Sequence, residues 1–177
     1  MGLASDLGYS HRTGNPVHRA VRWLGGTRPG GWFFSRTLRH LDTVIGRVTK
    51  GRHSAPGLLT GLAVLDLTTT GRKSGQPRTS HLIATPHSDT LALLGTNFGQ
   101  ESTPAWALNL EADPHATVSY RGTTLDVVAR PATPAETETI FARAATYYAG
   151  YRNYRQRIGG SRRIRVFVLE PVSGACS

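Results

Sequence analysis

Apolar residues recur along the chain in two rhythms. Short stretches rich in Val, Ile, Leu and Thr, at residues 62–67, 78–85, 90–96, 116–120, 123–129 and 164–169, are bounded by Gly, Pro, Asn or Asp and predict strands. Tyr120-Arg121-Gly122-Thr123 predicts a tight hairpin between two of them. Helical stretches are predicted at 104–111, behind Ser102-Thr103-Pro104, and at 134–148, where Thr133 is a good cap, Pro134 suits the first helical position and Glu136 falls in the first turn. Earlier in the chain Phe34, Leu38, Leu41, Ile45 and Val48 share one face of a helix over 35–48 that starts at Ser35.

Antiparallel strands with helices between and after them predict an α+β fold, a small β-barrel with peripheral helices. The length of 177 residues suits one domain with a real core. Residues 1–16 are Gly- and Ser-rich without periodicity and predict a loose arm.

Charge sharpens this picture. The formal net charge is +10, carried almost wholly by arginine, since Lys50 and Lys73 are the lysines. Residues 1–60 hold nine cations against Asp6 and Asp42, residues 145–165 hold six arginines and no acid, and residues 61–144 are slightly acidic, six against eight. An anionic partner is expected, whether nucleic acid, membrane surface or a polyanionic small molecule. The helix over 35–48 either packs its apolar stripe on a core or lies against an anionic membrane.

Other chemistries find little support. The lone Cys176 gives neither a disulfide framework nor a Cys-rich metal site and suits a reducing cytoplasm. No apolar run reaches the roughly 18 to 20 residues that span a bilayer. The seven histidines show no HExxH spacing, no GxSxG is present, and no metal is expected.

Three clusters carry candidate chemistry. TTTGRKSGQPR, residues 68–78, reads as a hairpin whose glycines let several backbone N–H groups converge while Arg72, Lys73 and Arg78 reach an anion. It lacks the Walker spacing, and an ordinary exposed, basic turn accounts for it as well. GTNFGQESTPAW, residues 95–106, runs from a strand into a helix whose N-terminus offers N–H groups to the polar edge of a flat ligand, with Trp106 as an aromatic face or as a core anchor. Tyr148, Tyr151 and Tyr154 recur every three residues beside arginines, as a pocket wall, a base-stacking surface or a packed aromatic seam.

These clusters, in this order, resemble the deazaflavin-dependent nitroreductase family. The likeness covers about residues 47–171 and rests on Gly51-Arg52, LTTTGRKSGQPR at 67–78, Thr96-Asn97 with Gly99, PAW-x-x-NL at 104–110, Asp113-Pro114, Ala129-Arg130, the spaced tyrosines and Leu169-Glu170-Pro171. The resemblance implies a split β-barrel of mostly antiparallel strands binding the 8-hydroxy-5-deazaflavin coenzyme F420. It divides the chain into a basic arm and amphipathic helix (1–50), the cofactor-binding barrel (51–172) and a tail (173–177).

By the same resemblance Arg72, Lys73 and Arg78 hold the phospholactyl and oligoglutamate tail, and Gly75 and Pro77 of the same loop are cofactor-binding residues. Thr96, Asn97 and Gly99 face the deazaflavin ring, with Pro104 and Trp106 close by, and Tyr148, Tyr151 and Tyr154 border the substrate. Phe98 and the stretch Gln100 to Thr103 depart from the family pattern. The implied activity is hydride transfer from reduced F420 to a small electron-poor acceptor such as a quinone, an enone or a nitroaromatic, with Tyr148 as first choice of proton donor. The expected location is cytoplasmic, with peripheral membrane contact through the N-terminal helix as an option and no nucleic acid as partner. The rival readings are an FMN- or haem-binding split barrel and a basic nucleic-acid-binding module.

Overall fold

The computed structural model describes residues 2–11, 62–158 and 163–172. The predicted helix over 35–48 and the tail at 173–177 lie outside the described residues. Numbered along these residues, the elements are α1 (Leu3–Asp6), β1 (Leu65–Thr70), β2 (Pro77–Leu82), β3 (Thr85–His87), β4 (Thr90–Leu94), a 3-10 turn (Asn97–Gly99), α2 (Ala105–Ala112), β5 (His115–Tyr120), β6 (Thr123–Pro131), α3 (Pro134–Tyr147), α4 (Gly150–Ile158) and β7 (Val166–Pro171). The seven strands form one sheet in the order β2-β1-β5-β6-β7-β4-β3, and every pairing is antiparallel.

That order forces curvature. β2 and β3 stand at opposite edges of the sheet, yet Ile83 and Ala84 alone separate them. Laid flat, the edges would be roughly 29 Å apart at the usual strand spacing, whereas the link from Leu82 to Thr85 reaches at most about 11 Å. The sheet therefore curls until its edges approach, as the predicted barrel requires. The predicted strand at 78–85 is broken here, although no Gly or Pro marks the break.

Tyr9 closes the seam. Its buried hydroxyl receives the Ala84 N–H at 2.9 Å and donates to the Ala63 carbonyl at 2.6 Å. His11 Nε2 lies 2.8 Å from the Ala84 carbonyl. Leu3, Leu7 and Tyr9 belong to the barrel core, so the loose arm expected over residues 1–16 is not found at residues 3–9.

Two cores flank the sheet. The barrel interior takes Leu65 and Leu67 of β1, Val118 of β5, Val127 of β6, Leu91 and Leu93 of β4 and Phe167 and Leu169 of β7. The alternate residues of β4 and β7, Ala92, Leu94, Val166 and Val168, face a second core built with Ile140, Phe141 and Ala144 of α3 and the tyrosines. β4 and β7 are therefore apolar on both faces, while β1 and β5 alternate because their outer face is wet. On that outer face Thr68 pairs with Thr79, and Ser119 with Thr124, each at 2.9 Å between hydroxyl oxygens.

Local signals set most boundaries. Arg121 and Gly122 both have positive φ, the geometry of the two-residue hairpin predicted between β5 and β6. Thr133 and Glu136 form a reciprocal capping box at the start of α3. β1 starts three residues later than expected and absorbs Thr68, Thr69 and Thr70, so the turn proper is residues 71–76.

Candidate functional site

The β1–β2 turn is tight and internally satisfied. Gly71 N–H donates to the Gln76 carbonyl at 2.8 Å, and the N–H groups of Ser74 and Gly75 both reach the Gly71 carbonyl. Gln76 N–H points to Ser74 Oγ at 3.4 Å, and Arg72 N–H is taken by Asn109 Oδ1 at 3.1 Å. The backbone cradle expected from the glycines is thus not formed, because these donors are engaged within the turn or with α2. Gly75 supplies the positive φ of 65° that the turn needs.

The side chains remain available. Residues 72–79 are exposed, including Arg72, Lys73, Gly75, Pro77 and Arg78. Among the described residues Arg72, Lys73 and Arg78 make no ion pair. By contrast Arg130 is tied to Glu136 and Glu170, Arg155 to Glu138, and Arg165 to Glu111. Unpaired cations crowded on one turn create a positive field that favours a multiply charged anion.

Helix α2 connects this turn to the second cluster. It packs on β1, and its buried Asn109 donates from Nδ2 to Thr69 Oγ1 at 3.0 Å. At its start Pro104 is the N-cap residue. Trp106 is a core residue, 7% exposed and edge-on to Phe167 at 6.2 Å between centroids, so it is a core anchor rather than an open aromatic face.

The chain ahead of α2 is shaped by special backbone. Asn97 and Gly99 have φ of 46° and 78°, and the Asn97 amide donates to the Ser102 carbonyl at 3.1 Å and to its hydroxyl at 3.0 Å. Thr96 is buried. Arg165, which enters β7, clamps this segment from behind. Its carbonyl accepts the Gly95 N–H at 2.8 Å, and its guanidinium donates to Thr103 Oγ1 at 3.0 Å and to Glu111 Oε1 at 2.5 Å.

The three tyrosines are packed. Tyr148 joins α3 to α4, Tyr151 and Tyr154 lie on α4, and all three are buried, with ring centroids 5.5 to 6.3 Å apart. The Tyr148 and Tyr154 hydroxyls are 2.6 Å apart. Burial pushes the Tyr151 phenol well above its ordinary pKa, with neighbouring tyrosines adding to the shift, so it is neutral at any physiological pH. Of the three readings open to this cluster, the packed seam is the one the rings adopt. α4 packs against the 97–99 turn, which puts the seam beside the second cluster. The groove between α3 and α4, about 430 Å³ and lined by Glu138, Phe141 and Arg155 among others, lies on the helix pair and not at the hairpin.

Two residues that make contacts here had no role in the sequence reading, although Asn109 stands within the quoted PAW-x-x-NL. Asn109 shows there as a lone amide in an apolar helical stretch, and Arg165 as a cation heading an apolar strand. Ala129-Arg130 and Glu170-Pro171 are structural, since Arg130 holds Glu170 at 2.7 Å and grips Glu136 with both terminal nitrogens at 2.9 and 2.8 Å. No metal-binding cluster occurs among the described residues.

Comparison with known proteins bears on the family and the fold. Residues 39–171 match the family model described as F420H(2)-dependent quinone reductase. The chain is 32% identical over 139 residues to an F420H(2)-dependent quinone reductase of Mycobacterium tuberculosis strain H37Rv, covering 75% of this chain and 89% of that one. Among solved structures it superposes on an F420-H2 dependent reductase (FDR-A) with TM-score 0.55 and 29% identity, over 61% of this chain and 94% of that one. A structure described as a domain-swapped dimer matches with TM-score 0.57 and 28% identity, over 80% of this chain and 99% of the other.

Proposed function

The chain belongs to the F420H(2)-dependent quinone reductase family, and we propose that it reduces a quinone with F420H2 held between the β1–β2 turn and the connection from β4 to α2. It is an F420-dependent oxidoreductase, and F420 is its cofactor. When bound, the deazaflavin supplies the hydride. The observation that carries the placement is the crowding of cations: Arg72, Lys73 and Arg78 stand exposed on one hairpin and make no ion pair among the described residues, whereas Arg121, Arg143, Arg152 and Arg163, also exposed and outside the ion pairs, are spread over separate elements.

The residues present fit the cofactor. A tail of one phosphate and several carboxylates needs cations that can reach oxygens from more than one side. Arg72 and Lys73 at the tip and Arg78 at the base supply them, on a backbone shaped by Gly75 and Pro77. The ring edge is assigned to the segment of Thr96, Asn97 and Gly99, with Pro104 and Trp106 behind it. Tyr148, Tyr151 and Tyr154, packed against one another, would support the acceptor side from behind rather than line it. With its hydroxyl turned to Tyr154, Tyr148 has a packing role and solvent supplies the proton. The protein's task is then to align donor and acceptor and to exclude competing reactions.

The arginine surplus over residues 1–60 supports a peripheral contact with an anionic bilayer, where apolar quinones dissolve. No helix among the described residues is long and apolar enough to cross a membrane.

Titration with oxidised F420, FMN and FAD, followed by reoxidation of F420H2 with menadione, tests the reading. Quenching by F420 at micromolar protein and menadione-dependent turnover are expected. Absence of F420 binding would refute the placement.

A further inference from the structure

We infer that Asn109 is a positioning residue that fixes the tail-binding turn relative to the ring-binding segment, an inference that rests on the assignment of the β1–β2 turn to the F420 tail. Asn109 sits on the inward face of α2 with Trp106 and Leu110 and is 6% exposed. Both ends of its amide leave the helix. Oδ1 accepts the Arg72 N–H at 3.1 Å, and Nδ2 donates to Thr69 Oγ1 at 3.0 Å.

These partners flank Gly71, one at the end of β1 and one in the turn. The amide therefore bridges the point where strand becomes turn. Thr69 extends the bridge to the returning strand, its hydroxyl donating to the Arg78 carbonyl at 3.4 Å. Asn109 is thus linked to the backbone of two of the three cations assigned to the tail.

Packing alone does not call for an amide here. Trp106, Ala107 and Leu110, the other buried residues of α2, are all apolar, and a leucine would fill similar space. A buried amide is retained at a desolvation cost that its hydrogen bonds must offset. What the amide adds is orientation, because its donor and acceptor ends are distinct and fix the turn in one rotational setting on α2. The same helix begins at Pro104, next to the segment assigned to the ring. A ligand that spans tail and ring gains from both only when their spacing is preset. Released from Asn109, the turn keeps its cations and loses their register with the ring.

The test compares oxidised F420 with the 8-hydroxy-5-deazaflavin chromophore lacking the phospholactyl and oligoglutamate tail. The unaltered protein should prefer F420 strongly; equal affinity would refute the tail assignment itself. In Asn109→Leu the Kd for F420 should rise at least tenfold while that for the tailless chromophore changes less than twofold. KM for F420H2 should rise with kcat at saturation retained. If Asn109→Leu does not fold, Asn109→Ser gives the same comparison, being too short to make both bonds. An unchanged F420 preference, or equal weakening of both ligands, overturns the positioning role. Loss of the preference in Lys73→Ala but not at Asn109 would overturn it while leaving the tail assignment standing.

Discussion

The ring of Tyr148 lies across Gly150 so closely that a methyl group on Gly150 would stand 2.5 Å from Cζ and 2.8 Å from the hydroxyl oxygen. The glycine is there for space, since no positive φ is needed at that position. Alanine would favour the helix by at most about 1 kcal/mol, but overpacking against a buried ring costs about 1 to 3 kcal/mol. Gly150→Ala is therefore expected to lower stability in urea unfolding. Gly75→Ala, at φ of 65° with open space around it, should instead cost about 1 kcal/mol through backbone strain alone.

Tyr148→Phe separates packing from chemistry. It removes one hydroxyl from the 2.6 Å pair with Tyr154 and keeps the ring. A stability loss of about 1 kcal/mol is expected for a buried hydrogen bond, with kcat within a few-fold of the parent. A hundredfold fall in kcat at unchanged melting temperature would assign the proton transfer to this hydroxyl.

What the sequence revealed, and what it hid, follows from where the deciding contacts lie. β4 and β7 read as continuous apolar runs, and β1 and β5 as alternating ones, because burial on two faces or one is written in consecutive residues. The capping box at Thr133 and the hairpin at Arg121-Gly122 are likewise local. Thr69 looked like loop because its partner, Asn109, lies forty residues away. The break at Ile83 and Ala84 carries no local mark, since it is held by Tyr9 from across 75 residues. The tyrosine period was plain, but whether those rings face a pocket or a core depends on the packing of α3 and α4 around them. The order of the motifs pointed to the family, and the geometry then showed which arginines, Arg130, Arg155 and Arg165, are bound to carboxylates within the fold.

Arg72 and Lys73, without an ion pair among the described residues, carry a quantitative expectation. Arg72→Ala and Lys73→Ala should each weaken F420 binding by roughly 1.5 to 3 kcal/mol if a charge-assisted hydrogen bond is lost. The exposed turn should keep its structure, so melting temperature should change little. Binding should also weaken with rising salt, with a shallower dependence in either variant. Normal F420 binding by both variants would show that the tail lies elsewhere.

Glu136 provides a pH signature. The Arg130 guanidinium, followed by the Thr133 N–H, lowers its carboxyl from the ordinary 4.5 to about 2. A depressed folded-state pKa means that the contribution is fully present above about 4.5 and is lost as the pH falls toward 2. Because Arg130 is 40% exposed, solvent screening holds the contribution to about 1 kcal/mol. Urea unfolding of Glu136→Gln should show that deficit at pH 7, and the difference from the parent should shrink as both are carried from pH 4.5 toward 2.

Tyr9 tests the closure of the barrel. Its hydroxyl serves Ala84 and Ala63 at once, at the point where the first and last strands of the sheet approach. Tyr9→Phe keeps the ring against Tyr120, 5.0 Å away between centroids, and leaves a buried N–H and a buried carbonyl without this partner. Each such group costs about 1 to 3 kcal/mol, partly relieved by local rearrangement, so a loss of about 2 to 4 kcal/mol is expected in urea unfolding. Hydrogen exchange should quicken first at Ala84, ahead of the β5–β6 hairpin, because the seam opens before the centre of the sheet. If the two regions exchange in step with the parent, the seam is held by the apolar packing of Leu3 and Leu7 and not by the hydroxyl.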